Sequence, residues 1–173
     1  MKFLFASDSF KGTLSSQKTA ELLTEAAREI FPDCQCDSIV VADGGEGTTD
    51  AVLAATDGKK ISVQVHGPLW ESITCNYGML DEKRAVMEMA AASGLPLVPE
   101  EKKDPRYTTS YGTGEMIADA LNRGFRDISI AIGGSATNDG GIGCIRALGG
   151  KFLDENNQEL KGCGEDLIKI RKI

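Results

Sequence analysis

No apolar run in the 173 residues approaches the length that a bilayer-spanning helix needs. Histidine occurs once, as His66 in "VQVHGPLW". A zinc site or a Ser/His/Asp triad built around that single imidazole would lack its partners. The five cysteines (Cys34, Cys36, Cys75, Cys144, Cys163) are odd in number, scattered, and include no CxxC pair. They are expected to be reduced thiols, with Cys34-x-Cys36 half a metal clip without a second half. Positive charge is also short: 19 Lys and Arg stand against 26 Asp and Glu, a net charge of −7. That balance argues against nucleic acid and anionic membranes as partners. A phosphate-bearing small molecule stays open, because backbone N–H groups and a divalent metal can supply local positive charge. The start "MKFLFASDSFKG" is too short for a secretory signal, so it reads as the first strand of a cytoplasmic protein.

What is present is an ordinary apolar content of 41% and a regular alternation of elements. "KFLFAS" (2–7) reads as a buried strand. Segment 16–31 spaces Ala20, Leu23, Ala27, Ile30 and Phe31 as one helical face, with Ser16 as N-cap and "FPD" as the stop. "DSIVVA" (37–42) reads as a second strand, followed by the glycine-rich "DGGEGTTDAVLAAT" entering a helix. That βαβα order predicts an α/β fold with a parallel sheet and helices on both faces. "KKISVQVHG", "ESITCNYGML" and "RAVMEMA" then follow with no helix between them, which predicts an antiparallel meander. The expected organisation is a parallel α/β domain over 1–58 and 106–173, with a smaller, mostly β inserted lobe over 59–105. "GTGEMIADALNRG" and "DISIAI" resume the helix–strand order, and "GGKFLDENNQEL" reads as a strand and turn.

Three expected strands, ending near Ser7, Ala42 and Ile132, each lead through small polar residues into a helix. In open parallel sheets, ligands bind outside the carboxyl ends of the strands, where helix N-termini present unpaired N–H groups. Gly44, Gly45, Gly47, Gly133, Gly134 and Gly140 would let backbone N–H groups approach an anion. Ser135, Thr137, Thr48 and Thr113 add hydroxyls, and Asn138 adds an amide. GxxxxGK[ST] does not occur, so a P-loop is out; "GTGEMI" and "GIGCIR" both fail the last glycine of GxGxxG, so a standard dinucleotide site is unsupported, and a bound nucleotide would need a different loop. Asp8, Asp43, Glu46 and Asp139 all fall in these loops. Carboxylates beside an anion are unfavourable unless a metal or a transferable proton compensates. Phosphoryl transfer to a hydroxyl needs both, and Lys11 in "DSFKG" would neutralise charge. The plainer reading makes Asp8 and Asp43 helix caps and Lys11 a solvated lysine. Glu88, flanked by methionines, points either to solvent or into a pocket.

"SDSFKGTLSS", "ADGGEGT", "GPL", "MEMAAASGL", "TTSYGTGE" and "IGGSATNDGGIG" occur in one order over residues 3 to 165. In these motifs the chain resembles the glycerate kinase family, the type without a P-loop. The resemblance implies ATP-dependent, Mg²⁺-dependent phosphorylation of glycerate to a phosphoglycerate in the cytoplasm. It implies two α/β lobes, one flavodoxin- or Rossmann-like, with the site in the cleft between them. Carried onto this chain, Asp8, Lys11, Asp43 and Asp139 would be catalytic, with Asp43 and Asp139 the candidate metal ligands. Ser9, Glu46, Ser135 and Asn138 would join the glycine loops in holding phosphate or glycerate. Family chains are near double this length, and the absent half carries a further "TGEG" segment that looks part of the site. The alternative function is a non-catalytic module that binds a small carboxylate or phosphate. A sheet edge left open would favour a homo-oligomer.

Overall fold

The computed structural model describes residues 1–10 and 13–173. Lys2–Phe5 form β1 and Gln35–Ser38 form β2, a parallel pair joined by helix α1 (Ser16–Ile30). Ser15, rather than Ser16, caps α1, its hydroxyl accepting from Lys18 N at 3.1 Å. β2 is shorter than expected and lies two residues upstream, because the ladder to β1 ends once Ile39 N donates to Phe5 O. The stretch from Ile39 to Ala42 continues outside any strand toward α2 (Thr48–Ala54).

β3 (Lys59–His66), β4 (Ser72–Met79) and β5 (Arg84–Glu88) form the expected antiparallel meander. After the single turn α3 (Ala90–Ser93) and two 3₁₀ turns come α4 (Tyr111–Asn122), β6 (Asp127–Ala131) and α5 (Ile142–Ala147). β6 runs parallel to β5, giving one four-stranded sheet in the order β3-β4-β5-β6. The sheet therefore continues from the 59–105 stretch into residues 127–131. The "GGKFLDENNQEL" stretch makes isolated bridges, Leu153 to Glu159 and to Lys172, instead of a strand. Asp154 holds its turn by accepting from Asn156 N and Gln158 N.

Successive strand residues point to opposite faces, and each face of this sheet has its own helix. Cys75, Tyr77, Ala85 and Met87 face Met116 and Ala120 of α4, and Phe125 closes that core. On the other face, a Cβ at Gly78 would lie 2.9 Å from Val86 and 3.0 Å from Leu53 of α2. The missing side chain lets α2 seat directly on the sheet. The architecture is thus mixed α/β with parallel pairing in both sheets and helices on both faces of the larger one.

Candidate functional site

The loops leaving the strands are fastened to one another through backbone. Ser16, at the start of α1, donates its hydroxyl to the Ser7 carbonyl and accepts from Val41 N at 3.4 Å. The loop after β1 and the loop after β2 therefore meet. Gly133 N, just past β6, donates to Gly44 O at 2.8 Å. A Cβ on Gly133 would lie 2.8 Å from both Gly44 O and Gly45 N, so only glycine permits this approach. Gly44, Gly45, Gly133 and Gly134 are brought together, which links the two sheets at their loop ends.

Beside this junction opens a cleft of ≈ 710 Å³. Asp8, Ser9, Glu46, Gly47, Thr49 and Glu88 line it, together with Asp50, Lys60 and Asn76. Asp8 is exposed and turns one oxygen onto Ser9 N at 2.7 Å. Asp43 accepts from Gly45 N at 3.0 Å, which shapes the loop ahead of Glu46. Thr48 uses its hydroxyl on Gly45 O at 2.8 Å, as an internal turn bond. Lys60 Nζ pairs with Asp50 at 2.7 Å. Cys75, in the cleft wall, has its thiol pushed up to about 11 by burial, reinforced by the Glu115 and Asp119 carboxylates. At neutral pH it is protonated and unsuited to act as a nucleophile.

Glu88 is the residue the sequence left undecided, and it points inward. It is 7% exposed at the carboxyl end of β5. Oε1 accepts from Thr49 N at 2.5 Å and Oε2 from Gly47 N at 3.1 Å. A carboxylate at a helix N-terminus satisfies unpaired N–H groups and complements the dipole. The N-terminus of α2, expected to cradle a ligand anion, thus holds an anion of the protein itself. Thr49 Oγ1 is buried here without a hydrogen-bond partner among the described residues.

Asp139, expected to be catalytic or a metal ligand, is buried in the loop after β6. It is 3% exposed and does not line the cleft. Oδ2 accepts from Ser110 N at 2.8 Å, Ser110 Oγ at 2.7 Å and Gly143 N at 3.3 Å, while Oδ1 accepts from Gly141 N at 2.9 Å. Both oxygens accept hydrogen bonds, and together they join the starts of α4 and α5. Thr113 is likewise internal, its hydroxyl 2.9 Å from that of Ser93. Ser135 closes a turn by donating to Thr137 O at 3.1 Å and accepting from Thr137 N. Asn138 and Gly140 are exposed, outside the cleft lining. Lys11 lies outside the described residues. The cleft thus unites the loops after β1 and β2, with the loop after β6 behind them.

Sequence reasoning missed Thr49, Asp50, Lys60 and Asn76. Lys60 and Asn76 reach the cleft through the β3–β4 register, in which Lys60 pairs with Gly78 and Ser62 with Asn76. No local motif announces such a pairing. Glu88 did carry a signal, an acid flanked by two methionines.

The glycerate kinase family model matches residues 3–173. The chain is 51% identical to the glycerate 2-kinase of Escherichia coli (strain K12), over all of this chain and 46% of that protein. It is 47% identical to the glycerate kinase of Bacillus subtilis (strain 168), with the same coverage. Among solved structures, a protein described as glycerate kinase 2 from Salmonella typhimurium LT2 superposes with a TM-score of 0.79. That match is at 43% identity and covers 99% of this chain and 46% of that one. The chain spans about half the length of the curated relatives it matches. Six ordered motifs, the fold and these matches agree: the chain belongs to the glycerate kinase family.

Proposed function

We propose that this chain provides one wall of a site that transfers phosphoryl from ATP to glycerate, with Mg²⁺, in the cytoplasm. The observation that carries the reading is the cleft between the two sheets, where Asp8, Ser9, Glu46 and Gly47 converge in a member of this family. The name of the Escherichia coli relative specifies a 2-kinase, so 2-phosphoglycerate is the expected product.

The donor set fits the metal. Among the described residues, the cleft lining has four carboxylates (Asp8, Glu46, Asp50, Glu88) and one lysine, Lys60. Glu88 is committed to α2 and Asp50 is paired with Lys60, which leaves Glu46 as a hard oxygen donor on the lining, with Asp43 in the same loop, and Asp8 for proton transfer. Mg²⁺ held there would neutralise charge on the transferring phosphoryl group. The chain's own contribution is positional. Asp8 is the group offered to the glycerate hydroxyl as proton acceptor, and Ser9 Oγ and the Gly47 region orient the carboxylate or phosphate. Lys11, beside them in sequence, is assigned to charge neutralisation.

The test is ADP release from Mg-ATP by the 173-residue chain, with and without D-glycerate. Glycerate-dependent turnover that falls 10²–10⁴-fold in Asp8→Asn supports the assignment, that range being typical of a lost general base. No turnover, with glycerate still raising the melting temperature, selects the non-catalytic carboxylate-binding module instead. The half-length coverage of the relatives is what keeps that second reading in view.

A further inference from the structure

The end of the β1–β2 sheet away from the cleft carries a pair of thiols that the phosphoryl-transfer reading does not use. Cys34 and Cys36 place their sulfurs 3.4 Å apart, and both side chains are partly exposed. The geometry has a local cause. Residues two apart in extended chain project to the same face, and Cys36 is held in β2 opposite Phe3 of β1. Cys34 is fixed from the other side, its N–H donating to Phe31 O at 3.0 Å in the turn that ends α1. Gln35 between them is pinned by donating to Met1 O at 2.9 Å. The two sulfurs are therefore presented as a pre-set pair, and no rearrangement of the strand is needed to use both.

A thiophilic centre bonded to both sulfurs at about 2.3 Å, the thiolate distance typical of zinc, would see an S–centre–S angle of about 95° across this 3.4 Å separation. That angle is close to the pyramidal geometry of a trivalent centre and narrower than a tetrahedral ion prefers. Soft thiolate donors select soft acceptors. Among the described residues, no third cysteine, histidine or carboxylate lies within 4.8 Å of both sulfurs to complete a larger cluster here.

We propose that Cys34 and Cys36 form a bidentate dithiol site for a trivalent arsenical. With an organoarsenic oxide, two As–S bonds form while the As=O bond and two S–H bonds break. The two protons leave with the oxygen as water, arsenic stays trivalent and no electrons are transferred. Holding both donors on one chain makes the second bond intramolecular, at a high effective concentration.

The probe is phenylarsine oxide, added to the folded chain and followed by intact mass and by counting free thiols without denaturant. One phenylarsenic adduct, formed with loss of one water and two titratable thiols, is expected. Dithiothreitol should displace it from Cys34→Ser or Cys36→Ser at concentrations at least 10-fold lower than from the native chain. Cys144→Ser should bind as the native chain does. An adduct of undiminished stability in the Cys34→Ser/Cys36→Ser double variant, or none on a native chain whose circular dichroism shows it folded, would overturn the assignment. Neither outcome depends on the cleft, so this result and the phosphoryl-transfer assay stand or fall separately.

Discussion

The two sheets share a chain but not a level of cover. In the four-stranded sheet, β5 is buried along nearly its whole length, and Tyr77 and Met87 are fully enclosed beneath α4. In the two-stranded sheet, parallel β1 and β2 alternate between exposed and half-buried positions, and Leu4 is 60% exposed. Parallel strands are ordinarily covered on both faces. The lesson is a division of labour: the larger sheet supplies the stability, and the smaller one contributes functional loops while burying little. The cleft lies where the two meet, so its residues inherit both characters. Glu88 is rigid at a strand end of the first sheet, and Asp8 is exposed on a loop of the second.

The sharpest way to break this contrast is to remove matching bulk from each sheet. Met87→Ala should cost about 2–5 kcal/mol in urea unfolding, as buried large-to-small changes do, whereas Leu4→Ala should stay within about 0.5 kcal/mol. Equal losses would refute the division. Next in size is Asp139→Ala, which strips the shared acceptor from four donors at the starts of α4 and α5. A loss of roughly 3 kcal/mol is expected, since bonds to a charged acceptor are worth about 1.5–3 kcal/mol each and part is recovered by water. Glu88→Gln should cost about 1–3 kcal/mol, because one amide end now turns a donor toward Gly47 N or Thr49 N. Hydrogen exchange should accelerate at those two amides before it does in β5. Tyr77→Phe should cost about 1 kcal/mol, the loss of a 2.7 Å bond to Asp119.

A pH slope from the well-covered sheet tests the contrast without altering its packing. Burial raises the Cys75 thiol from 9.0 to about 11. Between those values the unfolded chain gives up a proton that the folded chain keeps, so stability is fully present below pH 9 and declines as pH rises toward 11. Cys75→Ala should flatten that decline, measured as the midpoint of urea unfolding against pH. An unchanged slope would place its origin elsewhere.

The well-covered sheet was also the more legible in sequence. β3 and β4 showed themselves because half of each strand faces a continuous core, so burial writes a period of two into the chain, while β5, buried on both faces, reads as a nearly unbroken apolar run. β2 was misplaced by two residues because neither face is deeply buried. "DSIVVA" is apolar enough to suggest a strand, but the hydrogen bonds that define one end at Ser38. In the site, the glycine loops were readable because close backbone approach demands glycine. The bracing by Asp139 was not, because nothing local in a short polar loop announces donors such as Ser110, 29 residues away.

The seam at Gly44 and Gly133 has a consequence for how the molecule can change. Two main chains touch there with nothing interposed, so the spacing of the sheets is set by peptide groups that substitution cannot fine-tune. Variation at the rim of the cavity can alter what is recognised, but the width of the gap is inherited whole. A chain of this kind would diversify its ligands by repainting the walls while leaving the joint between them untouched.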